Sequence, residues 1–160
     1  MKIIGDTKNL VVREFLEFDT VELFQMNSDV DLMKMVHEKP YQSEDEAKFF
    51  IEQMQQHYTE NGFGLFSVHE LKSGRFVGWC GLRQTKYGAV LNVRLKKKFW
   101  NKGYATESLN LVIDYAINEL KLTKIAAKAQ PQIPATKAVL DKTILKNSTE
   151  NSQLYQWFSE

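Results

Sequence analysis

The segment from Val90 to Leu120 constrains this chain more than any other. Val90-Leu91-Asn92-Val93-Arg94-Leu95 is a strand-like run. From Ala105 to Leu120 the residues Leu109, Val112, Ile113, Ala116, Ile117 and Leu120 recur at helical spacing. The short stretch between them, ending in Trp100-Asn101-Lys102-Gly103-Tyr104-Ala105-Thr106, must turn a strand directly into a helix. A helix start leaves backbone N–H groups unpaired, and together with the helix dipole these favour an anion, typically a phosphate. Gly103 lets the backbone approach that anion with no Cβ in the way. Asn101 is among the few residues other than glycine that tolerate positive φ, and Ala105 is small where the first helical turn would face a ligand.

The rest of the chain supplies a sheet and its covering helices. Leu10-Val11-Val12-Arg13-Glu14-Phe15 predicts a first strand, with residues 1–9 as a leader into it. Asp19 suits the N-cap of a short helix to Met26, and Asp29 that of a second one stopped by Pro40. Ser43 and Glu46 stand at capping-box spacing. Ala47, Phe50, Ile51, Met54 and Tyr58 follow on one helical face, and Asn61-Gly62 ends that helix. Strands are expected over Gly64–Glu70, Arg75–Leu82 and Leu122–Ala129, with a hairpin turn at Leu71-Lys72-Ser73-Gly74. A last helix begins at Pro134 and runs to about Lys142, with Ala135, Ala138, Val139 and Lys142 facing inward. Asn147–Asn151 reads as loop or turn and Leu154–Phe158 as a final strand. This order predicts an α+β fold: a mixed, mostly antiparallel central sheet with helices on both faces, as a single domain over residues 1–160.

Composition narrows the function classes. The net charge is +1 with 21 basic and 20 acidic residues, so no basic face argues for nucleic acid. Lys96-Lys97-Lys98 is the only basic run, either a solvated edge or a phosphate contact beside the loop. The single cysteine, Cys80, excludes an internal disulfide and gives no metal cluster. No long apolar run or signal-like segment is present, so a cytoplasmic protein with no membrane association is expected.

The loop resembles the acetyl-CoA loop of the GNAT N-acetyltransferases. It is most similar to the RimJ/RimL-like branch, whose loop commonly reads Trp-Gly-Lys-Gly-Tyr-Ala-Thr-Glu. Here Trp100-Asn101-Lys102-Gly103-Tyr104-Ala105-Thr106-Glu107 departs from that string only at Asn101. Leu10–Phe15 resembles the branch's opening Leu-x-Leu-Arg-x-Phe, and Phe76-Val77-Gly78-Trp79-Cys80-Gly81-Leu82 its Ile-Gly-x-x-Gly-Leu strand. The resemblance covers nearly the whole chain and implies the GNAT fold. It also implies an N-acetyltransferase that moves acetyl from acetyl-CoA to a primary amine, a protein N-terminus or a small amine, by direct attack in a ternary complex. No metal is implied, and a homodimer is left open.

Acetyl transfer needs a held pyrophosphate, a thioester against a fixed surface, an oxyanion donor and a deprotonated amine with a stabilised leaving thiolate. The resemblance assigns pyrophosphate binding to backbone N–H groups of Trp100, Asn101, Lys102, Gly103, Tyr104, Ala105 and Thr106. It assigns the CoA arm to the backbone of the strand through Val93 and Leu95, like an added strand. Thr136 stands where the branch has a serine that donates to the leaving sulfur, and is the catalytic candidate; a capping or helix-back-bonding role is its alternative. Other positions depart. Val90 replaces a frequent glutamate, Ile133 an asparagine on the CoA arm, and Ile144 a glycine whose turn must be rebuilt. His37, Glu38, His69 and Glu70 are candidate bases beside plain water, and Cys80 is a small buried residue. The competing reading is an acyl-CoA-binding sensor or interaction module of the same fold with weakened turnover. The acceptor pocket is expected from the segments Ser28–Gln42 and Gln84–Ala89.

Overall fold

The computed structural model describes residues 2–130, 133 and 135–160. Its strands are β1 (Ile3–Asp6), β2 (Leu10–Arg13), β3 (Leu65–Glu70), β4 (Phe76–Thr85), β5 (Gly88–Leu95), β6 (Lys124–Lys128), β7 (Lys146–Asn147) and β8 (Leu154–Phe158). Its helices are α1 (Thr20–Asn27), α2 (Val30–Met35), α3 (Glu44–Asn61), α4 (Tyr104–Asn118) and α5 (Ala135–Leu140). One 8-stranded sheet runs β1-β2-β3-β4-β5-β6-β8-β7. All neighbours are antiparallel except β5 and β6, which are parallel.

Strand alternation divides the sheet into two faces. Trp79 lies opposite Arg94 on one face, where the Phe50 ring of α3 stacks on it at 4.9 Å. Cys80, the next residue and so on the other face, meets Ser108 of α4. The two faces together bury Leu10, Phe66, Leu82, Val112 and Ile125 completely. Full burial of such side chains stabilises by about 1.5–3 kcal/mol each.

Several expectations are refined. Residues 3–6 form an edge strand, not a leader: Ile3-Ile4-Gly5-Asp6 is too short to show a period, and β2 recruits it by pairing. Asp19 does occupy the N-cap position of α1, but its carboxylate makes no cap bond. It takes both Arg13 guanidinium nitrogens at 2.8 and 2.7 Å and the Leu16 N–H at 2.8 Å. A buried arginine must be paired, and that demand overrides capping. Asp29 does cap α2, through Asp31 N–H and Leu32 N–H. The helix then ends before Pro40, because Glu38 N–H bonds Met33 O and His37 N–H bonds Lys34 O with His37 at φ 56. That is a Schellman closure built on histidine. Glu46 accepts from the Ser43 N–H as its spacing predicts, and Gly62 ends α3 at φ 79. The expected helix start at Pro134 lies outside the described residues.

Candidate functional site

The cleft begins where β5 leaves β6. The parallel pair is in register only at Ala89↔Ile125 and Val90↔Ala126, whereas β4 stays paired with β5 as far as Gly78↔Leu95. Beyond Val90, then, β5 has one neighbour and a bare edge. The Lys96 N–H bonds Val77 O, so antiparallel alternation gives Arg94 and Asn92 the bonds to β4 and turns the backbone of Val93 and Leu95 outward. Val93 presents both its N–H and its C=O to the cleft. Leu95 presents only its N–H, because its carbonyl accepts from the Trp100 indole at 2.9 Å. The Leu91 and Leu95 side chains are core, while Val93 is half-buried.

The edge runs straight into the loop. A 3-10 turn at Lys97–Phe99 seats Phe99 in the core, Asn101 takes φ 62, and Gly103 takes φ 80. The left-handed positions are thus those that Asn and Gly permit. The Trp100 N–H is not available to a ligand, contrary to the sequence expectation: it donates to Lys97 O at 3.0 Å and closes the turn. The first bond of α4 runs from the Glu107 N–H to Gly103 O. Among the described residues, the N–H groups from Asn101 to Thr106 have no acceptor. Lys102 is not among the residues that line the cleft. Tyr104 lines the cleft while its hydroxyl donates to Glu70 Oε2 at 2.7 Å.

The opposite wall is α5 with the end of β6. Together the walls enclose a cleft of about 340 Å³ lined by Val93, Gly103, Ala105, Ala127, Thr136 and Val139, among others. The expected inward face of the last helix is therefore a cleft face: Ala135 and Ala138 are exposed there. The Thr136 Oγ1 receives the Gln130 N–H at 2.8 Å and lies 2.9 Å from Ile133 O, to which it donates. The hydroxyl is thus engaged in the β6–α5 loop, bonding back to Ile133 from inside α5. The turn at Ile144 is rebuilt without positive φ there. Thr143 N–H and Thr143 Oγ1 both bond Leu140 O instead.

The cleft's electrostatics are one-sided. Arg94, Lys128 and Lys142 line it, and among the described residues no carboxylate or histidine does. None of the candidate bases stands in it. Glu70 accepts from Tyr104, Ser73 and Arg75, and these bonds hold its carboxyl down to about 2. His69 is buried beside Arg13, and burial first, then that guanidinium, lowers its pKa. His37 and Glu38 lie on the exposed turn after α2, with Glu38 paired to Arg94. The Cys80 thiol is pushed up to about 12 by burial.

Sequence reasoning missed the role of Arg94. From β5 it reaches Asn27 Oδ1 at 3.1 Å and the Glu38 carboxylate, and its guanidinium lies 4.4 Å over the Trp79 ring. It thereby ties the α1–α2 cover to the sheet. Lys96 and Lys97 add ion pairs to Glu22 at 2.7 Å and Asp31 at 3.4 Å, so these lysines clamp the cover and do not face the loop's N–H groups. A lone charge inside an apolar strand was the available signal for Arg94. Of the segments expected to build the acceptor pocket, Ser28–Gln42 sends Leu32 and Val36 into the cleft lining, whereas Gln84–Ala89 forms the tight β4–β5 hairpin outside it.

Comparison with known proteins bears on this geometry. Residues 9–143 match the acetyltransferase (GNAT) domain. The chain is 27% identical over 129 residues to the uncharacterized N-acetyltransferase p20 of Bacillus licheniformis, covering 79% of this chain and 72% of that protein. Its fold matches that of RimL, a ribosomal L7/L12 alpha-N-protein acetyltransferase solved with coenzyme A, at TM-score 0.80 and 12% identity over 99% and 98% of the two chains. It also matches the Vibrio cholerae spermidine N-acetyltransferase solved with CoA and spermine, at TM-score 0.77 and 18% identity over 96% and 97%.

Proposed function

The chain belongs to the acetyltransferase (GNAT) domain family, and from that membership we propose that this N-acetyltransferase passes acetyl from acetyl-CoA directly to a primary amine, a protein N-terminus or a small amine. One observation carries the reading: the bare edge of β5 at Val93 leads, through the 3-10 turn at Lys97–Phe99, into a loop whose N–H groups from Asn101 to Thr106 have no acceptor among the described residues. The cleft lining, which carries Lys128 and Lys142 and among the described residues no carboxylate, fits a polyanionic co-substrate. RimL and the spermidine enzyme both act on amines, which supports the acceptor class.

In this reading the N–H groups of Asn101 to Thr106 hold the pyrophosphate at the start of α4. The Val93 backbone takes the CoA arm as an added strand. A backbone N–H on β5 then faces the oxyanion, a donor that no side-chain change on the strand removes. Direct attack is favoured over a cysteine relay, because a thiol near 12 is almost wholly protonated at neutral pH. With no carboxylate or histidine in the cleft lining among the described residues, the amine loses its proton to solvent, and orientation in the cleft supplies much of the rate.

The test is release of free CoA thiol across peptide N-termini, polyamines and amino sugars at a series of pH values. Activity should climb from neutral to alkaline pH and follow the acceptor's own ionisation. It should level off above about 8 for an α-amine and keep rising toward about 10 for an alkylamine. A profile that turns over below the acceptor's pKa would instead reveal an enzymic base. Tight CoA binding without release above hydrolysis from any acceptor at any pH would replace transfer with simple binding.

A further inference from the structure

Behind the loop, outside the cleft lining, the first turn of α4 is moored to the β1–β2 turn. Glu107 Oε1 accepts from the Thr7 hydroxyl at 2.5 Å and the Asn9 N–H at 3.2 Å. Its Oε2 accepts from Asn9 Nδ2 at 2.7 Å. The Thr7 hydroxyl oxygen receives the Leu10 N–H at 3.0 Å in turn, so the receiving turn is itself ordered by β2. Glu107 also makes the first helical bond of α4, to the carbonyl of Gly103. One residue therefore closes the turn on the left-handed glycine and fastens it to a separate part of the sheet.

Two effects of this carboxylate oppose each other. An acid in the first turn stabilises a helix start, but its charge competes with any anion bound at that same start. Its hydrogen bonds, by contrast, hold the neighbouring N–H groups in one arrangement before a ligand arrives. Preorganised donors bind more tightly because less ordering remains to be done on binding. The donors from Thr7 and Asn9 draw the carboxylate toward the β1–β2 turn and away from the loop's N–H groups, which weakens the first effect and keeps the second.

We propose that Glu107 is a positioning residue for the co-substrate, setting the N–H groups of Asn101 to Thr106 through its mooring to Thr7 and Asn9. This rests on the assignment of that loop to the CoA pyrophosphate. The order of effects fixes the sign: if mooring outweighs charge, removing the charge weakens CoA binding.

The test is calorimetric titration of CoA into the wild-type chain, Glu107→Gln, Thr7→Val and the double variant, with amide exchange measured without ligand. Each single variant should bind about tenfold more weakly, the loss expected for about one hydrogen bond of organisation. The double variant should be little worse than either, since both cut one tether. Amides of Asn101 to Thr106 should exchange faster, while those of β3 and β4 keep their wild-type rates. Unchanged or tighter CoA binding by folded Glu107→Gln overturns the proposal, as does uniformly faster exchange. Should Glu107→Gln fail to fold, Thr7→Val, a change in a surface turn, decides alone. A wild-type chain that does not bind CoA overturns the functional reading and this proposal together; a wild type that binds beside unaffected variants overturns the mooring only.

Discussion

Replacing Gly103 by alanine separates the loop's structural role from its binding role, because the fold contains a matched control. Gly103 has φ 80 and Gly62 has φ 79. A Cβ at Gly103 would meet nothing within 4 Å, and at Gly62 its nearest neighbour would be Leu120 Cδ2 at 3.9 Å. Neither substitution causes a clash, so each costs only the left-handed strain of an L-residue, about 1–2 kcal/mol. For a chain of this size that lowers Tm by about 2–8 °C. The two sites differ in what lies outside. Gly62 closes α3, far along the chain from the cleft, whereas the open space beside Gly103 is where an anion would sit on the N–H groups of Asn101 to Thr106. A methyl group there, or a relaxation of φ to negative values, removes or misdirects at least one hydrogen bond to a charged phosphate. Such a bond is worth about 1.5–3 kcal/mol, or about 10–150-fold in Kd. Thermal melts without ligand and CoA titration on both variants make the measurement. The expected pattern is similar Tm losses with weakened CoA binding only in Gly103→Ala. Equal Kd in the two variants would refute the assignment of the loop.

Thr136→Val should lower both Tm and turnover, because it leaves the Gln130 N–H without the hydroxyl acceptor, while the Ile133 carbonyl keeps the Thr136 N–H; the loss is about 1–3 kcal/mol. Thr136→Ser should restore both, and a wild-type rate in Thr136→Val would remove the hydroxyl from catalysis and from the wall alike. Glu38→Ala should destabilise more than Arg94→Met, since the Arg94 side chain is 8% exposed and left unpaired, whereas Glu38 is 53% exposed and hydrates once freed. The reverse order in denaturant unfolding would place the energy in the contacts of Arg94 with Asn27 and Trp79 instead of the charge pair.

What could be read from the sequence followed from local rules. The Ser43–Glu46 box, the Asp29 cap, the Gly62 stop and the strand–loop–helix at residues 90–120 are each determined within a few residues, and each stands in the structure. What escaped depends on partners far along the chain. Asp19 is diverted from capping by Arg13, and residues 3–6 become a strand only because β2 offers an edge. Lys96 and Lys97 find acids on α1 and α2, so a run beside an anion loop becomes a clamp. Pro40 was the visible breaker near α2, yet the helix ends earlier on a Schellman closure at His37, which composition does not announce because histidine stands where glycine usually does.

The candidate site shows why its departures from the family pattern need not damage its main parts. Leu91 and Leu95 can belong to the core and to a ligand-binding strand at once. Their side chains enter the core, while the same alternation turns the backbone of Val93 and Leu95 toward the open side. The donors that matter there are main-chain groups, and main-chain groups survive substitution of the residues that carry them. Val90, which replaces a frequent glutamate, lies at the last registered pair with β6 and removes a titrating group without disturbing the bare edge beyond it. Ile133, which replaces an asparagine, lends its carbonyl to Thr136 and its side chain to the cleft lining. In the proposed reading, the substitutions therefore fall on proton transfer and on one side-chain contact to the CoA arm. In that reading, anion binding and oxyanion stabilisation depend on the splay of β5 from β6 and on two left-handed positions, Gly103, which this sequence keeps, and Asn101, which holds a positive φ in place of the family's glycine.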